Sequence, residues 1–228
     1  MIPHSSNATR NGVTQPDFEQ MRRAMVSNQL RTTAVDDQRV IDAMRTVPRE
    51  LHVPADKASS AYTDRSVPLG NGRALNPAMA TGRLLSEAHP QPGERALVVG
   101  GCTGYAAALL AAMGLVVTAV EADGGLLALA RAAGDTAGVT FVEGPAEAGA
   151  ADGAPYDLIL IDGAIEQVPQ ALIDQLAEGG RLATAIIDRG VTRLSIGRRT
   201  GNAFGLSAFA DAEAVILPGF ARPREFVF

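Results

Sequence analysis

The chain has 228 residues and a formal net charge of −5, with 46% hydrophobic and 20% charged residues. This length and balance describe a globular domain able to bury a sizeable core, and exclude a disordered or low-complexity polymer. The negative charge argues against non-specific nucleic-acid binding, though not against a locally basic groove, and the single cysteine, Cys102, excludes an internal disulfide.

The segment Met1–Gln15 is polar, rich in Ser, Asn, Thr and Gly, and lacks the apolar core of a signal peptide. Residues 1–16 therefore read as a disordered tail, residues 17–228 as one domain, and the cytoplasm as the default location. Asp17, after Pro16, is placed to cap a helix carrying Met21, Met25 and Leu30 through about Arg31. A second helix is predicted over Asp36–Thr46, ended by Pro48. Residues 49–76 read as irregular, punctuated by Pro54, Pro68, Gly70 and Gly72, and a loop of that length in a compact domain is often functional. Pro77 opens a third helix to about Ala88, which Pro90 and Pro92 close. Residues 17–92 thus form a helical and loop region ahead of a core over 93–228.

From Arg95 the pattern alternates. Strands are predicted near 95–99, 116–120, 138–142, 156–161 and 181–187, and helices near 104–113, 124–133 and 168–177. This is the rhythm of an α/β fold of Rossmann type, with a mostly parallel sheet covered on both faces. After Arg189 the rhythm changes. Leu194–Arg199 and Ala203–Phe209 flank Thr200-Gly201-Asn202, which predicts an antiparallel C-terminal edge, with a further short strand over Glu213–Leu217.

The stretch Ala96–Glu121 is the most informative. Ala96–Val120 holds no charged residue and has the length of a membrane span. The glycine cluster at 100, 101 and 104 and the β-branched residues at both ends instead predict a buried strand, a glycine turn, a helix and a second strand. Glu121 stands at the end of the second strand, about twenty residues past Gly100, where such units receive the ribose hydroxyls of a nucleoside-containing cofactor. A surface strand cap is the plainer reading of the same residue. Asp162, at the end of the fourth strand, either lines the site or caps the following segment. His4, His52 and His89 are too widely separated to predict a metal site. Asp64 and Arg65 form a structural ion pair or border a cleft. Cys102 reads as a small buried filler.

Several segments together resemble the protein-L-isoaspartate O-methyltransferase family. They are Val26-Ser-Asn-Gln-Leu-Arg, Ala43-Met-Arg-Thr-Val-Pro-Arg-Glu-Leu-His-Val-Pro, Ala61-Tyr-Thr-Asp-Arg, Gly100–Tyr105 and Tyr156–Ala164. The resemblance spans roughly residues 20–190. It implies an S-adenosylmethionine-dependent enzyme that methylates the carboxylate of L-isoaspartyl (or D-aspartyl) residues in damaged proteins or peptides, without nucleic acid or membrane. It further implies cofactor contacts from Leu75, Gly100, Gly101, Cys102, Gly104, Tyr105, Glu121, Ala122, Pro145 and Asp162. Asn76 falls where the family carries a hydroxyl beside the reacting carboxylate, and is the candidate catalytic residue.

Four positions depart from the family pattern. Val98 replaces an acid that helps hold the cofactor's amino group. Cys102 replaces the central glycine of the turn. Glu143-Gly144-Pro145-Ala146 replaces an acid–glycine pair that can contact adenine. Gly72-Arg73-Ala74-Leu75-Asn76-Pro77 replaces a loop with a serine, and Arg73 either pairs with a carboxylate or faces solvent. These departures keep two other readings open: a family member serving as a binding or scaffold protein, and a methyltransferase acting on a different carboxylate.

Overall fold

The computed structural model describes residues 9–10, 13–14, 16–101, 103–134 and 136–222. Cys102 and most of the expected disordered tail, residues 1–16, lie outside the described residues. The nine principal strands are β1 (Val67–Gly70), β2 (Arg73–Leu75), β3 (Arg95–Val99), β4 (Val116–Glu121), β5 (Val139–Glu143), β6 (Tyr156–Ile165), β7 (Leu176–Asp188), β8 (Val191–Thr200) and β9 (Ala203–Asp211). The α-helices are α1 (Phe18–Met25), α2 (Gln38–Thr46), α3 (Ala78–Ala88), α4 (Tyr105–Ala112), α5 (Gly124–Ala132) and α6 (Gln170–Asp174).

Seven strands form one sheet in the order β9-β8-β7-β6-β3-β4-β5. β5, β4, β3, β6 and β7 run parallel, and β8 and β9 add an antiparallel edge. Successive side chains of β3 explain its unbroken apolar sequence. Ala96 and Val98 join the core under α2, α3 and α4, while Leu97 and Val99 join a second cluster on the opposite face with Leu172 and Leu176. Both faces are covered, so no polar alternation appears. Truncating a fully buried leucine such as Leu97 or Leu160 to alanine would cost about 2–5 kcal/mol.

The uncharged stretch 96–120 is therefore strand, turn, helix and strand. Among the described residues no helix is long and apolar enough to cross a membrane. Asp17 and Asp37 cap α1 and α2 by accepting from Gln20 N and Arg39 N.

Four expectations need correction. The first helix passes after Met25 into a π-helical turn over Val26–Leu30. Residues 49–76 are not wholly irregular: 3₁₀ turns occupy Arg49–His52 and Ala55–Ser60, and β1 and β2 make a hairpin too short to show a period in sequence. The helix expected over 168–177 is only Gln170–Asp174, because Leu176 already pairs with Tyr156 at the start of β7. Finally, 213–217 is no ladder strand but a single parallel bridge, Ile216 to Ala164.

Candidate active site

The chain runs outward from β3 to β5 on one side, then returns beside β3 to build β6 and β7 on the other. Open α/β sheets take ligands at the carboxyl ends of the strands flanking such a switch. Gly100 follows β3 and Glu121 ends β4, while Asp162 is not the end of its strand as expected: β6 runs on to Ile165, and Asp162 is the first residue past its ladder with β3.

A cleft of about 220 Å³ opens there, lined by Arg73, Gly100, Glu121, Ala122, Pro145, Ala146, Glu147, Leu217, Pro218 and Gly219. A larger depression of about 500 Å³, around His89, Arg181 and Arg198, sits where Arg181 joins Glu94 ahead of β3. That is the amino end of the parallel strands, the wrong end for ligand binding in this architecture.

Gly100 has φ +66°, and a Cβ built on it would stand 2.9 Å from Leu217 Cδ1. The turn therefore needs glycine both for its backbone and for the side chain lying across it. Gly104 has φ +82° and faces Ala130 and Phe141, so its role is close helix packing. Gly101 looks toward Val98 and Ala119.

Glu121 is almost wholly enclosed. Its Oε1 accepts from the backbone N–H groups of Ala122 (2.9 Å) and Asp123 (3.0 Å). Arg73 closes on both oxygens, Nη1 to Oε1 at 2.6 Å and Nη2 to Oε2 at 2.8 Å. Of the two readings of Arg73, the carboxylate pair is the one observed.

A second polar cluster lies beyond the hairpin. Asp162 Oδ1 accepts from Thr81 Oγ1 at 2.9 Å and Asn76 Nδ2 at 3.1 Å. Burial raises the Asp162 pKa above the usual carboxylate range, against these two hydrogen bonds. The other end of the Asn76 amide accepts from Val215 N at 2.9 Å. Ala164 N donates to Val215 O, and Leu217 N donates to Ala164 O. The C-terminal segment is thereby tied across the strand ends, and Leu217 is carried over Gly100.

Beneath both clusters sits Arg49, fully buried. Its Nε donates to Ala61 O at 2.7 Å, its Nη2 to Asn76 O at 2.5 Å, and its guanidinium lies 4.7 Å from the Tyr105 ring centre. Burial lowers the Arg49 pKa and pushes Tyr105 up to about 12. His52 Nδ1 donates to Thr103 O at 2.6 Å, and Thr103 Oγ1 donates back to His52 O at 2.5 Å. A carbonyl only accepts, so Nδ1 carries the proton. The Val47-Pro-Arg-Glu-Leu-His segment is thus a clamp that grips the glycine turn through His52 and the loop at Asn76 through Arg49.

Of the sequence-predicted residues, Gly100, Glu121, Ala122 and Pro145 meet in the cleft. Asn76 and Asp162 meet each other in the adjacent cluster. Leu75 and Tyr105 are buried in the hydrophobic core, and Asp64 and Arg65 are exposed. Sequence reading missed Arg49, Thr81, Glu147 and Leu217. The clamp residues stood inside the segments that carried the resemblance, which was the available signal.

Residues 20–208 match the family Protein-L-isoaspartate(D-aspartate) O-methyltransferase. The chain belongs to this family. The protein-L-isoaspartate O-methyltransferase of Koribacter versatilis is 35% identical over 201 residues, covering 87% of this chain and 90% of that protein. The Methylorubrum extorquens enzyme of the same name is 37% identical, covering 89% and 90%. A crystal structure of a Plasmodium falciparum protein described as a putative member, in complex with S-adenosyl-L-homocysteine, superimposes with a TM-score of 0.73 at 18% identity. It covers 89% of this chain and 99% of that one, and supports the methyltransferase fold.

The nucleoside half of such a cofactor fits this family member. Gly100, Glu121, Ala122, Pro145 and Ala146 line one cleft, and these are the residues that would hold it. The amino-acid half finds less, because Val98 is fully buried among aliphatic neighbours. The cleft volume also falls below the range usual for a whole ligand of drug size. Arg73 and Leu217 are the side chains that narrow it.

Proposed function

We propose that the protein transfers a methyl group from S-adenosylmethionine to the carboxylate of L-isoaspartyl residues in proteins or peptides. The observation that carries this reading is the juxtaposition, in a chain of this family, of the Gly100–Glu121 cleft with the Asn76–Asp162 cluster at the same strand ends. The cofactor, when bound, supplies a methyl group on a cationic sulfur. A carboxylate oxygen forms the new bond to the methyl carbon while the carbon–sulfur bond breaks and its electron pair stays on sulfur. No proton moves, so no general base is required.

The protein's task is then alignment and exclusion of water, from which most of the rate derives. Glu121 orients the ribose. Asn76 serves as a positioning residue: its amide bridges Asp162 and Val215, which holds the hairpin and the C-terminal segment around the acceptor position. Glu147, which lines the cleft two residues past Pro145, takes the adenine amino group in place of the acid absent from position 145. No observation favours a scaffold role or another carboxylate.

The test is transfer of labelled methyl to an isoaspartyl peptide and to its aspartyl isomer, with base-labile label as the mark of an ester. The proposal expects label on the isoaspartyl peptide alone. Equal labelling of both peptides, or label stable to base, refutes it.

A further inference from the structure

Glu121 presents about four acceptor positions, as any carboxylate does. At least four donors meet it: the N–H groups of Ala122 and Asp123 and Arg73 Nη1 on Oε1, and Arg73 Nη2 on Oε2. The backbone donors are fixed by the turn that begins α5. Arg73 spans both oxygens and lines the same cleft as Glu121, so a ribose diol that takes this carboxylate through both oxygens must displace it.

Arg73 does not act alone. It opens β2, and the tip just before it makes a second contact with the same edge, Asn71 Nδ2 donating to Asp123 Oδ2 at 3.2 Å. The hydrogen bond from Asn71 holds the Asp123 carboxylate below its usual range. The tip residues Gly70, Asn71 and Gly72 have φ of +98°, +50° and +71°. Three consecutive left-handed residues, one of them not glycine, make a tight turn between the paired strands β1 and β2. The same hairpin runs directly into Asn76.

We propose that Arg73 sets the cofactor affinity of this protein by latching the β1–β2 hairpin onto Glu121, so that a ligand with a ribose diol binds in competition with the Arg73–Glu121 ion pair. This rests on the reading of Glu121 as the ribose acceptor. The chemistry selected is a vicinal diol able to replace two guanidinium N–H donors on one carboxylate. Release of Arg73 frees the hairpin next to the acceptor cluster, which links cofactor entry to the geometry around Asn76.

The test uses the full chain, S-adenosylhomocysteine as probe, and isothermal calorimetry. Arg73→Gln removes the charge and the fork, and is expected to tighten S-adenosylhomocysteine binding by at least about tenfold, the scale of losing one charge-assisted competitor. Arg73→Lys keeps the charge but cannot span both oxygens, and is expected to fall between wild type and Arg73→Gln. Amide exchange at 70–73 in the wild type is expected to speed up on adding the probe. Wild-type binding with Arg73→Gln equal or weaker overturns the latch and leaves the methyl-transfer reading intact. No binding by wild type or either variant overturns both. Should Arg73→Gln fail to fold, Arg73→Lys decides: affinity equal to wild type overturns the latch.

Discussion

Arg49 offers the sharpest test of how the site is held. Replacing it with alanine removes two hydrogen bonds from a charged donor and leaves the carbonyls of Ala61 and Asn76 buried without them. Each stranded acceptor costs about 1–3 kcal/mol. Loss of the guanidinium over Tyr105 adds about 1 kcal/mol or more. The total is about 3–7 kcal/mol, a large share of the 5–15 kcal/mol typical of a whole domain. The chain has no tryptophan, so urea unfolding is best followed by far-ultraviolet circular dichroism. The midpoint should fall with the slope unchanged. Arg23→Ala is the control, since that side chain is 69% exposed and pairs with Glu19 one turn away; its cost should stay within about 0.5 kcal/mol. If Arg49→Ala comes within about 1 kcal/mol of wild type, the clamp is not what holds the loop.

Asp162→Asn keeps an acceptor for Thr81 and Asn76 but cannot ionise. Because burial raises the Asp162 pKa above its unfolded value of 3.8, its contribution is fully present below that value and is lost as pH rises through the folded pKa. Asp162→Asn should therefore gain stability relative to wild type from pH 4 to pH 8 in urea melts, and a constant difference would contradict the assigned environment. Gly163→Ala places a Cβ 2.6 Å from Leu217 Cγ and 2.7 Å from Val215 O, so amide exchange at Val215 and Leu217 should rise at least tenfold; unchanged protection would show that the segment is held elsewhere. Glu147→Ala should weaken S-adenosylhomocysteine binding by about 1 kcal/mol in calorimetry, and Glu143→Ala should leave it unchanged. Equal losses would remove Glu147 from the adenine site.

Much of the sheet was legible because parallel strands buried on both faces leave uninterrupted apolar runs, as in Arg95–Val99 and Tyr156–Ile161. Glu121 and Asp162 were legible because strand ends in this architecture are where ligands bind. The Asn76 position came from the resemblance, but its partners did not. Val215, Thr81 and Asp162 converge on one amide only through the fold, and no local period announces a contact between distant segments. Arg73 left two readings open for the same reason. The short α6 was overestimated because an apolar stretch of mixed type does not reveal that parallel pairing with Tyr156 begins at Leu176.

The bond between Asn76 and Val215 joins residues 139 positions apart. During synthesis at about 5–20 residues per second, the second partner follows the first by roughly 7–28 s. Through that interval the five parallel strands can assemble while Ala164 and the Asn76 amide still lack the segment that satisfies them. The growing chain thus passes through a folded sheet without a finished site. A product cut short before residue 215 would keep most of its core, would resist proteolysis over that core, and would be unable to hold a ligand.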